Sequence, residues 1–158
     1  MGKKICLTLN FLLLGCEDGW SLLWYESRCF KFFSAGLSWN DARVACQNEG
    51  ADLASIPDEY TNAFLMELIP EDSTETWVLI GGHKVNGSFS WVDGTPWEYE
   101  RWAPGRPDNH WGNEDCLNIY AKQYHTNGMK SYWNDINCDG TGIISGVRPY
   151  ICSKYIGV

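Results

Sequence analysis

The sequence predicts an α+β domain in which two helices accompany short antiparallel strands, the whole stapled by disulfides. Three observations predict it. Two helix signatures fall in the first half of the chain. From residue 76 onward, short aromatic and β-branched runs alternate with Gly, Asn and Asp turns. Cysteines stand at 6, 16, 29, 46, 116, 138 and 152, and no two lie at the C-x2-C spacing of a zinc or redox pair.

In chain order, residues 1–15 read as a secretory leader: Lys3 and Lys4 form a basic segment, residues 5–14 an apolar one, and Gly15 is small at the cut. The domain then spans 16–158, in an oxidising extracellular compartment. Cleavage removes Cys6 and leaves six cysteines, which can pair in about 15 ways. A retained Cys6 would be odd and could link two chains. The sequon Asn86-Gly87-Ser88 is a glycosylation candidate that agrees with export.

Residues 24–33, rich in aromatics, read as a strand pair around Cys29. Ser38 caps a first helix carrying Ala42, Ala45 and Cys46, which Gly50 ends. A second helix begins at Pro57-Asp58-Glu59, presents Tyr60, Phe64 and Leu68 to the core, and stops before Pro70. Strands follow at 77–80, 89–92, 116–120, 132–134 and 150–155. Residues 93–115, with prolines at 96, 104 and 107, show neither helical nor strand periodicity. A long ordered loop of this kind is where a site is expected.

Composition narrows the function classes. The chain has 158 residues, 44% hydrophobic, 15% aromatic and 20% charged, as expected of one globular domain. Twelve Lys and Arg against twenty Asp and Glu leave a charge of -8, which argues against nucleic acid and anionic membrane as partners. The apolar stretch 5–14 is broken by Thr8 and Asn10 and falls short of the roughly 18 residues of a spanning helix. The motifs G-x-S-x-G, H-E-x-x-H and the phosphate loop are missing, so no enzyme is expected.

An ordered set of segments resembles the C-type lectin-like domains. These are Cys29-Phe30-Lys31-Phe32, the helix from Trp39, Leu53-Ala54-Ser55-Ile56, Ile80-Gly81 and Phe89-Ser90-Trp91-Val92-Asp93-Gly94. Trp102, Asn113-Glu114-Asp115-Cys116, Trp133-Asn134-Asp135 and Tyr150-Ile151-Cys152 complete it. The resemblance covers residues 16–152. It implies the double-loop fold of that family in its long form, with bridges Cys16 to Cys29, Cys46 to Cys152 and Cys116 to Cys138. It also implies a cis peptide before Pro107 and structural roles for Trp91, Trp102 and Trp133, while Glu98, Tyr99 and Glu100 are expected at a solvated rim.

In sugar-binding members a Glu-Pro-Asn or Gln-Pro-Asp triplet, a later Glu and an Asn-Asp pair hold one calcium ion that takes two sugar hydroxyls. Here the matching positions read Arg106-Pro107-Asp108, Glu114 and Asn134-Asp135. Asp108, Glu114, Asn134 and Asp135 still present oxygen, and would be the ligands if calcium binds. Calcium seeks six to eight oxygens, and a guanidinium supplies none. A cation about 5 Å from a divalent ion also repels it by several kcal/mol at an effective dielectric of ~20. Calcium is therefore expected to be weak or absent, and no cofactor is required. Arg106 is free to pair with Asp108, Glu114 or Asp135. An auxiliary ion is not expected either, since Gly82-His83-Lys84-Val85-Asn86 has no carboxylate where relatives carry acids.

The donor-then-acceptor order of Arg106 and Asp108 resembles the galactose-type members. A guanidinium favours a strong oxygen acceptor, so the expected ligands are acetamido sugars, GlcNAc or GalNAc, with sialic acid behind. Asn109, His110 and Trp111 could add hydrogen bonds and an apolar surface. His110 stands where galactose-type members carry a stacking aromatic residue. The expected function is a secreted lectin with an agglutinating or innate-immune role, and agglutination would require a homodimer, because one domain provides one site. The alternatives are a domain that binds a protein partner and has lost sugar binding, and a calcium-dependent galactose-type lectin. Ice binding, known in some relatives, has no distinctive surface pattern here.

Overall fold

The computed structural model describes residues 15–122, 129–141 and 147–157. The leader, Cys6 and the expectations attached to them lie outside the described residues. The chain forms β1 (Ser21–Leu23), a 3-10 turn (Trp24–Glu26), β2 (Arg28–Leu37), α1 (Trp39–Asn48), β3 (Asp52–Leu53) and α2 (Glu59–Leu68). There follow β4 (Trp77–Val85), β5 (Ser88–Trp91), a 3-10 turn (His110–Gly112), β6 (Cys116–Tyr120), β7 (Trp133–Ile136) and β8 (Arg148–Tyr155).

The strands make one sheet in the order β1-β2-β8-β4-β6-β7, with β3 on β8 and β5 on β4. Its ladders are antiparallel except one. The parallel pairing of β4 with β8 through Leu79 and Tyr150 makes the sheet mixed rather than wholly antiparallel. Period-2 alternation sends neighbouring residues to opposite sides. Phe30, Ile80, Leu117, Ile119 and Ile151 join a core with Leu65 of α2, while Cys29, Leu79, Cys116 and Cys152 join one with Trp39, Ala42 and Cys46 of α1. The sheet is thus packed on both faces.

Both helices start where their caps place them. Ser38 accepts the Asp41 N–H at 3.1 Å and Asp58 accepts the Thr61 N–H at 2.7 Å, filling a donor that the first turn leaves open. Gly50, at φ +66, follows α1 in the left-handed region that favours glycine. Trp39 donates its indole N–H to Ile80 O at 2.8 Å, fastening α1 to β4. Gly81 permits close contact there: a Cβ at this position would lie 2.4 Å from Leu53 O.

The three expected bridges are present, Cys16 to Cys29, Cys46 to Cys152 and Cys116 to Cys138. The Arg106 to Pro107 bond is cis.

Several expectations are corrected. Trp24 does not begin a strand: it opens a 3-10 turn that ends on Ser27 at φ 53, and β1 lies before it. In α2, Thr61, Asn62 and Leu65 are buried and Phe64 and Leu68 pack half-buried against the same core, as expected of those two, whereas Tyr60 is 68% exposed. The four-residue steps hold for Phe64 and Leu68 but not for the first turn, where Tyr60 points to solvent and Asn62 instead faces inward, accepting the Trp133 indole N–H at 2.8 Å. Tyr99 is not a rim residue. Its ring lies 5.5 Å from that of Trp133, and its hydroxyl is buried without a partner. Trp91 and Trp133 are buried as expected, and Trp102 is half-buried against the same cluster.

Candidate functional site

The long loop divides into an anchored half and an outward half. In the first, Trp97, Tyr99 and Trp102 pack around Trp133 of β7 with ring centroids 5.8, 5.5 and 6.0 Å away. Backbone bonds from Ala103 N to Trp133 O at 2.9 Å and from Trp133 N to Arg101 O at 2.7 Å lock it to the strand. The second half leaves the core after Ala103, turns through Gly105 at φ +80, and returns to β6 at Cys116.

Asp135 organises that outward half. It is fully buried on β7, and its carboxylate accepts the backbone N–H of Asp108 at 3.2 Å and of Asn109 at 2.7 Å. Two backbone donors are thereby satisfied by one buried anion, which fixes the residues following Pro107. Glu114 closes the arch: its carboxylate accepts the His110 N–H at 2.8 Å, while its own N–H donates to Asn109 Oδ1 at 3.0 Å. Arg106 forms an ion pair with Asp108 through Nη1 and Oδ1.

Asp108, Glu114 and Asp135 each bring an oxygen within 4.8 Å of the others. Removal from water pushes the Glu114 carboxyl above its ordinary range, and the charges of Asp135 and Asp108 add to that rise. The His110 N–H and the Arg106 charge pull in the other direction. Three acids are thus gathered with one guanidinium among them.

These residues fall short of a full calcium shell. Both Asp135 oxygens and Glu114 Oε2 already accept backbone N–H groups, Asp108 holds Arg106, and a guanidinium has no lone pair to offer a metal. Asn134, next in the chain to Asp135, adds a further oxygen, Oδ1, which is buried without a hydrogen-bond partner. A second group, His83 with Cys116 and Cys138, is no metal site, because its two sulfurs are bonded to each other.

The structure therefore brings Arg106, Asp108, Asn109, Glu114 and Asp135 into one hydrogen-bonded unit, with Pro107 inside the arch. His110 and Trp111 stand at its crest, their rings 4.8 Å apart and edge-on. Trp111 is 78% exposed and holds φ 63, while Asn109 holds φ 46. A bulky residue in the left-handed region costs about 1–2 kcal/mol, and this one is offered to solvent. Asn86 lies apart, exposed in the two-residue turn between β4 and β5, where φ values of 51 and 84 at Asn86 and Gly87 fit a hairpin of the Asn-Gly kind.

Lys84 was not singled out from the sequence. Its ammonium donates to Glu114 O at 3.0 Å and lies 3.2 Å from Asp115 Oδ1, so β4 holds the end of the arch. The available signal was a lysine in a segment without the acids of relatives. A hollow of about 850 Å3 where Ile69 and Pro70 meet Ala121 contains none of the site residues.

The Lectin C-type domain profile matches residues 35–154. The chain belongs to the C-type lectin domain family. It is 35% identical to a lectin of Pleurodeles waltl, over 89% of this chain and 76% of that one. It is 33% identical to the galactose-specific lectin nattectin of Thalassophryne nattereri, over 88% and 80% respectively. The secretory phospholipase A2 receptor of Oryctolagus cuniculus is 30% identical over 90% of this chain, which spans only 9% of that receptor's length. Among solved structures, a calcium-independent type II antifreeze protein matches with a TM-score of 0.71 and 29% identity, covering 89% of this chain and 95% of the other. Human lithostathine, at 24% identity and a TM-score of 0.75 over 98% and 100% of the two chains, shares the C-type lectin fold. Among the described residues, no helix is long and apolar enough to cross a membrane.

Proposed function

We propose that this C-type lectin domain is a secreted, non-catalytic lectin that grips acetamido sugars, GlcNAc or GalNAc, with sialic acid behind, and needs no resident calcium. The observation that carries the reading is the Arg106 guanidinium paired with Asp108 among the three carboxylates. A fixed cation there meets the acids' charge without a metal, and its remaining N–H groups offer donors for an acetamido carbonyl or a sugar carboxylate. Asp108 and Glu114 accept from sugar hydroxyls, and the exposed Trp111 ring covers an apolar sugar face or the acetyl methyl. The calcium-independent description of the antifreeze relative supports the metal half of the reading. The galactose-specific description of nattectin supports a ligand of the galacto type, to which GalNAc belongs.

In this reading the domain acts outside the cell in agglutination or innate defence. One site per domain then calls for a homodimer.

A glycan array run with calcium and again with chelator tests the proposal. Retained N-acetyl sugar binding in chelator is the expected result, and unchanged binding by Arg106→Ala would show the role given to this arginine to be wrong. The second reading, a calcium-dependent galactose-type lectin, is favoured by the unpartnered Asn134 Oδ1. Sugar binding that disappears in chelator would select it. Silence on every glycan in both conditions would point instead to a protein partner.

A further inference from the structure

Beyond β1, at the edge of the sheet opposite β7, three aromatic rings stand together in solvent. Trp24 is 79% exposed, Tyr25 41% and Tyr60 68%. The Trp24 ring meets that of Tyr25 at 6.1 Å and 84°, and the Tyr60 ring meets it at 6.5 Å and 80°. Tyr25 is thus a less exposed central ring with two more exposed rings set nearly perpendicular to it.

The central ring is held in place. Its hydroxyl donates to Asp58 Oδ1 at 3.0 Å and lies 3.0 Å from Thr61 Oγ1, while Thr61 also bonds Glu26. Burial, aided by Asp58 and Glu26, pushes the phenol up to about 12, so it stays neutral and keeps donating. The surroundings are acidic: Glu26 belongs to the same turn as Trp24 and Tyr25, and Asp58 and Glu59 open α2. The nearby cation, Arg28, is only 2% exposed and is bound by Glu26 at 2.8 Å and Asp93 at 3.3 Å.

Aromatic faces carry negative potential, and carboxylates beside them deepen it, so the patch suits a cation. The Tyr25 hydroxyl, Thr61 Oγ1, Asp58 Oδ1 and the Glu26 carboxylate are engaged with one another or with Arg28, so the groups nearest the central ring have little to offer a saccharide's hydroxyls or the N–H groups of a primary ammonium. A quaternary ammonium carries no N–H to satisfy, and its methyl groups can rest on the rings. We propose that Trp24, Tyr25 and Tyr60 form a binding site for a choline-type trimethylammonium group, separate from the long-loop site.

Calorimetric titration of the full chain with choline and with its neutral isostere 3,3-dimethylbutan-1-ol tests this. Choline should bind at least about ten-fold more tightly than the alcohol, because only the charge differs. Trp24→Ala and Tyr60→Ala should each weaken choline by about ten-fold, and the exposure of both rings should leave the melting temperature unchanged. Cosedimentation with phosphatidylcholine vesicles, reversed by free choline, would identify a lipid head group as the source. Calorimetric binding without cosedimentation would identify a soluble choline compound. No choline binding, equal binding of the alcohol, or self-association abolished by Trp24→Ala would overturn the proposal.

Discussion

The sheet with its flanking helices and the outward half of the long loop are built on opposite terms. Around β2, β4 and β8, side chains such as Phe30, Ile80 and Ile151 are fully buried, and a disulfide joins α1 to β8. Between Ala103 and Cys116 there is an exposed tryptophan, non-glycine residues at positive φ, and two acids, Asp108 and Glu114, held close to Asp135 of β7 against their repulsion. The difference teaches where each region's free energy goes: the first holds the fold, and the second depends on that fold to keep charges and a strained crest in a geometry they would not adopt alone.

The comparison can be tested from its strongest side. Replacing Cys46 and Cys152 by Ser opens a closure of 106 residues, which should cost about 4.7 kcal/mol in the chain-entropy description, and denaturant unfolding would show it. A loss this large approaches the whole stability of a domain. Trp133→Phe joins the two regions. It leaves Asn62 Oδ1 without its 2.8 Å donor and loosens the rings of Trp97, Tyr99 and Trp102, for an expected cost of about 1–3 kcal/mol in the same assay.

Changes in the outward half should separate binding from stability. Arg106→Ala should weaken N-acetyl sugar binding by about ten-fold on a glycan surface while shifting stability by less than about 1 kcal/mol, because its ion pair with Asp108 is partly exposed. Glu114→Gln tests the carboxylate cluster through pH. Since the fold raises the Glu114 carboxyl, the folded state prefers its protonated form, and stability is lost as pH rises through its titration. The variant should therefore melt about 1–2 °C higher than the parent at neutral pH, and equally near roughly pH 3, in paired thermal scans. Trp111→Gly should relieve the left-handed strain, raising stability by up to about 1 kcal/mol while lowering sugar affinity. A gain in both by any of these three would break the contrast.

Much of the fold was legible because its signals are local. Ser38 and Asp58 start the helices through side-chain oxygens that accept an N–H three residues on, Gly50 follows α1 at positive φ, and the alternation of sides between Cys116 and Leu117 follows from the strand period alone. In the site, the order Arg106, Asp108, Glu114 and Asp135 marked a charged cluster. The misplacements share a cause. Tyr60 and Tyr99 have the same local patterns as core and rim residues respectively, and only the tertiary packing distinguishes the outcomes: Tyr60 meets Tyr25 in solvent, and Tyr99 lies 5.5 Å from the Trp133 ring. Lys84 was overlooked because its partners, Glu114 and Asp115, are thirty positions or so away.

The sequence by itself determined the helices and most strands, the bridges through a resemblance to a family, and the substitution of an arginine where a metal ligand is usual. Only the tertiary structure decided which side of α2 is buried, that Asp108 takes the Arg106 charge, that Asp135 orders the arch through backbone N–H groups, and that Trp24, Tyr25 and Tyr60 meet. The reason is physical. Periodicity, capping and turn preference act over a few residues and are written in adjacent side chains, whereas burial, ion pairing and ring contact depend on segments that become neighbours only when the sheet closes.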